Sequence, residues 1–253
     1  VKVDLLFFSG TGNTSLAVSA IAGGLREAGH SVRAASVERS VPEELEPGDL
    51  LGLAFPVAAG STYPFVLDFI RRLPEAEGTS AFLVVTMAAS SGEVAPRVRE
   101  ALARKGYRPA GLLEVVMPTN FRRERDPGGE DDSVLSRGLQ TSHRFAGALA
   151  EDRAEWPEGP EGFDRLLRET DSLWKELRRR YRLTVNPSRC TGCGECAETC
   201  PVGNITMEKD LPVFDDVCQI CMRCFSGCPE HAILVGGEDY AQWRASERPW
   251  EAD

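Results

Sequence analysis

Eight cysteines occur in the 253 residues, all within one C-terminal stretch and in two runs of identical spacing. Cys190, Cys193, Cys196 and Cys200 form the first run, and Cys218, Cys221, Cys224 and Cys228 the second. Each reads C-x2-C-x2-C-x3-C-P, closed by Pro201 or Pro229, and the second repeats the first at an offset of 28 residues. Thiolates at such short intervals on a tight loop converge on one polynuclear centre. Structural zinc sites instead use well-separated C-x2-C pairs, four ligands to each ion. An even count is compatible with disulfides, but triplets at this spacing suit metal ligation better. The pattern points to iron–sulfur chemistry.

A second constellation lies near the start. Ser9-Gly10-Thr11-Gly12-Asn13-Thr14 follows a strand-like apolar run and opens a helical pattern. In that context backbone N–H groups and a helix N-terminus face a phosphate. The hydroxyls of Ser9, Thr11 and Thr14 and the Asn13 amide add donors. The loop has no lysine, so it is not a P-loop. Ser15 stands where the dinucleotide fingerprint needs Gly or Ala. His30, His143 and His231 are isolated, and no Ser–His–Asp or paired-carboxylate constellation is present, so no catalytic residue is assigned.

The first 150 residues must position that loop. Apolar runs at 3–8, 31–36, 50–55, 81–87 and 112–117 read as strands, the last three nearly continuous, as strands covered on both faces read. Helices are predicted at 13–28, 63–72, 92–106 and 133–150. The alternation implies an α/β fold, a doubly wound five-stranded parallel sheet of order 2-1-3-4-5. Residues 122–132 read as an exposed charged loop and 151–162 as an acidic linker. Phe163, Leu166, Leu167, Thr170, Leu173, Trp174, Leu177 and Tyr181 form one helical stripe, expected to pack the two modules together. The expected domains are 1–150, a linker and connecting helix at 151–183, a small α+β cysteine module at 184–236, and an acidic tail at 237–253 with Trp243 and Trp250.

A net charge of −10 argues against nucleic acid. The longest uncharged stretch, 50–67, contains Gly52, Pro56, Gly60 and Pro64 and cannot be a continuous membrane helix. No targeting segment is visible, so the expected location is the cytoplasm. Residues 184–236 hold three cations against seven carboxylates. Bound clusters with thiolate ligands would add negative charge, so the expected partner is a redox protein with a basic docking surface.

The cysteine runs resemble the bacterial two-cluster ferredoxins, with a match at every cysteine. That resemblance implies two [4Fe–4S] clusters with crossed ligation. Cys190, Cys193, Cys196 and Cys228 would hold one, and Cys218, Cys221, Cys224 and Cys200 the other. The loop S-x-T-G-N-T is similar to the FMN phosphate loop of flavodoxins. That resemblance implies FMN over the ends of the third and fourth strands, against Pro56, Val57, Ala58, Ala59 and Gly60 and against Met87, Ala88, Ala89, Ser90 and Gly92. Flavodoxins usually stack an aromatic from each of these loops on the ring, and neither loop has one at its tip here. One flavin face is therefore expected to be open to a substrate, a partner or the ferredoxin module. Tyr63 and Phe121 are candidates to reach the ring, with packing the alternative. Thr119 and Asn120 either hydrogen-bond the flavin or a substrate, or simply end a strand.

The fused order resembles the flavodoxin–ferredoxin fusion proteins of anaerobic bacteria and archaea, which implies electron transfer between two [4Fe–4S] clusters, FMN and a redox partner. The alternative is a flavin reductase, an FMN- and [4Fe–4S]-dependent oxidoreductase with a small-molecule acceptor.

Overall fold

The computed structural model describes residues 1–122, 129–246, 248–249 and 251–252. Five strands, β1 (Lys2–Phe7), β2 (Ser31–Ser36), β3 (Leu50–Pro56), β4 (Ser80–Met87) and β5 (Arg108–Val116), form one sheet. Its order is β2-β1-β3-β4-β5 and every pairing is parallel. This is the expected flavodoxin-like arrangement. β4 runs apolar because residues 81–86 are all buried, whereas the edge strand β2 buries only Ser36 fully.

Successive side chains of β1 enter opposite layers, as strand geometry requires. Leu5 and Phe7 join the core beneath α1 (Asn13–Glu27) and α4 (Glu130–Ala150). Leu6, with Phe8 just beyond the strand, joins the core beneath α2 (Pro64–Arg72), α3 (Val94–Arg104) and α5 (Phe163–Arg180). Local chemistry sets several helix ends. Pro64 pre-sets the first turn of α2. Glu130, Asp131 and Asp132 oppose the positive end of α4, and Arg178, Arg179 and Arg180 the negative end of α5.

The segment expected as a linker is stitched to the sheet. Leu112 N donates to Glu155 O at 2.9 Å on the outer edge of β5, and Trp156 is buried in the α2–α3–α5 core. The Glu100 carboxylate then receives the N–H groups of Gly162 and Phe163 at 2.9 and 2.8 Å, satisfying the start of α5.

The C-terminal region is a small α+β unit. β6 (Leu183–Val185) pairs antiparallel with β9 (Ile233–Val235), and β7 (Ile205–Glu208) with β8 (Leu211–Phe214). Two short helices, α6 (Glu195–Glu198) and α7 (Arg223–Gly227), follow cysteine loops. Its own core is slight: Leu183, Met222, Phe225, Ile233 and Val235. Of the expected exposed loop at 122–132, residues 123–128 lie outside the described residues, as does Trp250 of the tail. Among the described residues no helix is long and apolar enough to cross a membrane.

Candidate functional site

The carboxyl ends of β1, β3, β4 and β5 open into a cavity of about 340 Å3. Parallel sheets of this order gather their ligands at that edge. The glycine loop forms its floor, with Ser9, Gly10, Thr11, Asn13 and Thr14 in the lining. Thr14 Oγ1 lies 2.7 Å from Thr86 Oγ1, and Asn120 Nδ2 donates to Thr11 Oγ1 at 3.3 Å. Two members of the loop are committed elsewhere. Gly12 is outside the lining, at φ 105°, and its N–H donates to Ser9 Oγ at 3.1 Å. Asn13 Nδ2 donates to Pro118 O at 2.6 Å, which ties the loop to the end of β5.

The β3 and β4 loops contribute Pro56, Val57, Ala58, Ala59, Met87 and Ala88 to the lining. Gly60, Ala89, Ser90 and Gly92 are exposed and off it. The two loop tips lean on each other there: a methyl group on Gly92 would come within 2.9 Å of Gly60 O. Tyr63, Thr119 and Phe121 also line the cavity. Burial raises the Tyr63 phenol far above its ordinary pKa, with Cys221 adding to the effect, so it stays neutral.

The cysteines regroup across the repeat. Cys190, Cys193, Cys196 and Cys228 line one small cavity, and Cys200, Cys218, Cys221 and Cys224 line another. None of the eight is in a disulfide. Each set receives backbone N–H groups at sulfur: Ala232 N at Cys228 Sγ (3.3 Å), Asn204 N at Cys200 Sγ (3.2 Å) and Ile220 N at Cys218 Sγ (3.3 Å). The first set is the outer one, with Cys193 exposed, and the second is the inner one, with Cys221 buried. Burial pushes the Cys196 thiol up to about 11 and Cys221 to about 12, and raises Cys218 and Cys224. Such thiols give up their protons readily only to a cation that replaces the lost hydration, which is what iron supplies.

The turns that aim the cysteines are also repeated, with different residues. Gly192 and Gly194 have φ of 73° and 79°; at the equivalent positions Ile220 and Met222 have φ of 54° and 63°. A left-handed conformation costs a non-glycine residue roughly 1–2 kcal/mol. The second half therefore retains side chains at a cost the first half avoids, and both side chains line the cavity at the sheet edge.

The model of the 4Fe-4S binding domain family matches residues 183–206. An uncharacterised ferredoxin of Methanocaldococcus jannaschii is 34% identical over 58 residues, covering 21% of this chain and 75% of the relative. A ferredoxin-like protein in the vnf region of Azotobacter chroococcum is 34% identical over 53 residues, covering 19% of this chain and 82% of the relative. The chain belongs to the 4Fe–4S ferredoxin family. Its first part is similar in structure to flavodoxin 2 from Bacillus cereus, with 19% identity, a TM-score of 0.47, and coverage of 60% of this chain and 99% of the flavodoxin. A Streptococcus pneumonia flavodoxin gives 20% identity, a TM-score of 0.45, and coverage of 60% and 99%. The strand order identifies that domain as flavodoxin-like.

The ferredoxin domain sits directly on the glycine loop. A methyl group at Gly10 would fall 2.2 Å from the Cys221 carbonyl oxygen, so only glycine permits this approach. Trp174 and Leu177 of α5 and Tyr181 at its C-terminal end, with Gln219, Ile220 and Met222 of the ferredoxin loop, wall the space left above the alanine-tipped loops. Trp174 Nε1 donates to Gln219 O at 3.1 Å and joins the two walls. The open space expected above these loops is thus faced by the ferredoxin domain. The α5 stripe read as packing also forms cavity wall, because an apolar stripe looks the same whether it covers protein or ligand.

The tail packs against the glycine loop on the side away from the cavity. Trp243 Nε1 donates to Asn13 Oδ1 at 2.9 Å, and Ala245 N to Thr11 O at 2.7 Å. Ser246 N would lie 2.2 Å from a methyl group on Gly12. Gln242 Nε2 reaches Phe225 O and Cys228 O, at 2.6 and 3.1 Å. One short segment therefore holds both the glycine loop and the ferredoxin domain. Its only sequence signal was two tryptophans in an acidic stretch.

Proposed function

We propose that the protein is an electron-transfer flavo-iron–sulfur protein, passing electrons between two [4Fe–4S] clusters, FMN and a redox partner. The observation that carries this reading is a shared wall. Gln219, Ile220 and Met222 line both the cavity at the sheet edge and the cavity of the inner cysteines. Bound clusters supply one-electron transfer, and a bound flavin supplies one- or two-electron chemistry.

The residues present suit these groups. Each cysteine set offers four sulfurs and backbone N–H donors to sulfur, the ligand chemistry of a [4Fe–4S] centre. The glycine loop offers hydroxyls at Thr11 and Thr14 beside the N-terminus of α1, which suits a phosphate monoester. Trp174, Tyr181 and Phe121 suit an isoalloxazine ring.

In this reading the partner docks at the outer set. Cys193 is exposed, and Glu195 and Glu230 line the same cavity, with Glu198 exposed nearby. A basic redox protein is the complementary partner.

Anaerobic purification with analysis of iron, sulfide and flavin tests the proposal. The expected content is about eight iron and about eight sulfide per chain, as two all-cysteine [4Fe–4S] centres require, with one FMN. Riboflavin should bind far more weakly than FMN. Zinc without acid-labile sulfide, or equal affinity for riboflavin and FMN, would overturn the corresponding half.

A further inference from the structure

The internal repeat places Asn204 in the first half where Ala232 stands in the second. Their backbones do the same thing: each N–H reaches the sulfur four residues back, Cys200 or Cys228. Their side chains do not. Asn204 is 1% exposed, and neither its Nδ2 nor its Oδ1 has a hydrogen-bond partner among the described residues. It lines the cavity enclosed by Cys200, Cys218, Cys221 and Cys224. Ala232, equally buried, lines the outer cavity and brings no polar atom to it.

A buried amide without partners gives up its hydration with no hydrogen bond in return, which is costly. Ala232 demonstrates that a methyl group satisfies the same turn. The amide at 204 therefore answers to something the inner cavity holds, and the groups converging there are four sulfurs that become anionic when they bind metal. Anionic sulfur accepts hydrogen bonds and has none to donate, so the complementary part of the amide is its NH2. Hydrogen bonds to sulfur, together with burial, set the reduction potential of an iron–sulfur site. A donor stabilises the more negative, reduced form and so raises the potential.

We propose that Asn204 donates an N–H to the sulfur held by the inner cysteines and raises the reduction potential of that site relative to the outer one. This rests on reading the inner set as a [4Fe–4S] site. The asymmetry favours electron residence at the site that shares its wall with the flavin cavity. Asn204 is a tuning residue and not a ligand.

The test compares wild type with Asn204→Ala, which installs the residue the repeat itself uses, and Asn204→Leu, which removes the donor while keeping the branched shape and the number of heavy atoms. Iron and sulfide are measured first, then each cluster is titrated under EPR detection. Both variants are expected to keep wild-type iron and sulfide. One of the two potentials should fall and the other stay, moving the electron partition about tenfold toward the outer site, which is about 59 mV for one electron. Full cluster content with both potentials unchanged overturns this inference alone. Iron lost from both variants makes Asn204 a structural support and overturns it as well. A wild type without iron and sulfide overturns the cluster reading and this inference together.

Discussion

Arg223 and Glu38 form an ion pair at 2.6 Å with side chains only 4% and 7% exposed. Glu38 follows β2 of the flavodoxin-like domain, and Arg223 lies between two inner cysteines. The same guanidinium donates to Ser9 O in the glycine loop at 2.7 Å and to Thr199 O, next to Cys200, at 3.1 Å. One side chain thus ties the loop beneath the sheet-edge cavity to both halves of the inner cysteine set. Removing one partner of a buried pair strands the other charge, which costs about 3–5 kcal/mol. Glu38→Ala is expected to destabilise the holoprotein by that amount in denaturant unfolding. Glu38→Ala combined with Arg223→Met should recover part of the loss, since no charge is then stranded. A change below about 1 kcal/mol in the single variant, the range of an exposed pair, would contradict the structural role.

Ile220 offers a second test, which separates the cavity wall from stability. Its φ of 54° is strained for a β-branched residue, and the equivalent position is Gly192. Ile220→Gly relieves roughly 1–2 kcal/mol of strain, offset by about 0.5–1 kcal/mol of glycine chain entropy and by lost packing of a half-buried side chain. Global stability should therefore change little, and iron content should be unaltered. The cavity at the sheet edge, however, loses part of the wall it shares with the inner cysteines, and with it part of the proposed flavin site. Flavin dissociation, followed by recovery of flavin fluorescence on dilution, should be several-fold faster. Unchanged dissociation would show that the wall does not contact the flavin.

The legible parts of this chain were those in which one local rule has one solution. β3 and β4 stand out as unbroken apolar runs because both faces are covered. The hydroxyl-rich glycine loop stands out because few settings want Thr11, Asn13 and Thr14 together between a strand and a helix. The cysteine spacing is nearly covalent information. Long-range relationships left weaker traces. Trp174 and Tyr181 sit on an ordinary amphipathic stripe, and nothing in that periodicity says that a cavity interrupts the surface it covers. β5 begins at Arg108, before its apolar run, because pairing with β4 extends back through Gly111 and Pro109 to Arg108. The segment at 151–162 has linker composition, yet Glu155 pairs through its backbone, which composition does not report. Arg223–Glu38 spans 185 residues and follows no periodic pattern.

The tail provides a test of retention. Residues 241–246 touch the glycine loop at Thr11, Gly12 and Asn13 and the ferredoxin domain at Phe225 and Cys228. In the FMN reading this segment holds the loop in shape from the side away from the cavity. Trp243→Phe removes the indole donor to Asn13 while keeping an aromatic ring. A net loss of about 0.5–1.5 kcal/mol, the worth of one neutral hydrogen bond, predicts a severalfold weaker FMN affinity. Ending the chain at Asp239 removes all of these contacts and should weaken FMN further, leaving iron and sulfide unchanged. Equal FMN affinity in all three proteins, measured by fluorescence quenching, would assign the tail to packing alone.

Iron removal tests what holds the ferredoxin domain together. Its strands are three or four residues long, in two separate two-stranded sheets, and its own buried core comprises five apolar side chains. A unit this small cannot fold on apolar burial alone and needs staples. The cysteine sets are the available staples, and without iron the raised thiol pKa values, about 12 for Cys221, leave neutral thiols with nothing to draw them together at neutral pH. Anaerobic chelation of iron is therefore expected to expose the amides of β6, β7, β8 and β9 to hydrogen exchange. The amides of β1, β3 and β4 should stay protected, because Leu5, Phe7, Phe82 and Val84 belong to a core that contains no cysteine. Flavin should leave in the same step, since Gln219, Ile220 and Met222 no longer wall its cavity. Exchange mass spectrometry with flavin fluorescence on one sample reads both events. Retained protection across 183–235 after complete iron loss would mean that docking through Arg223 and Trp174, not the metal, holds the domain folded.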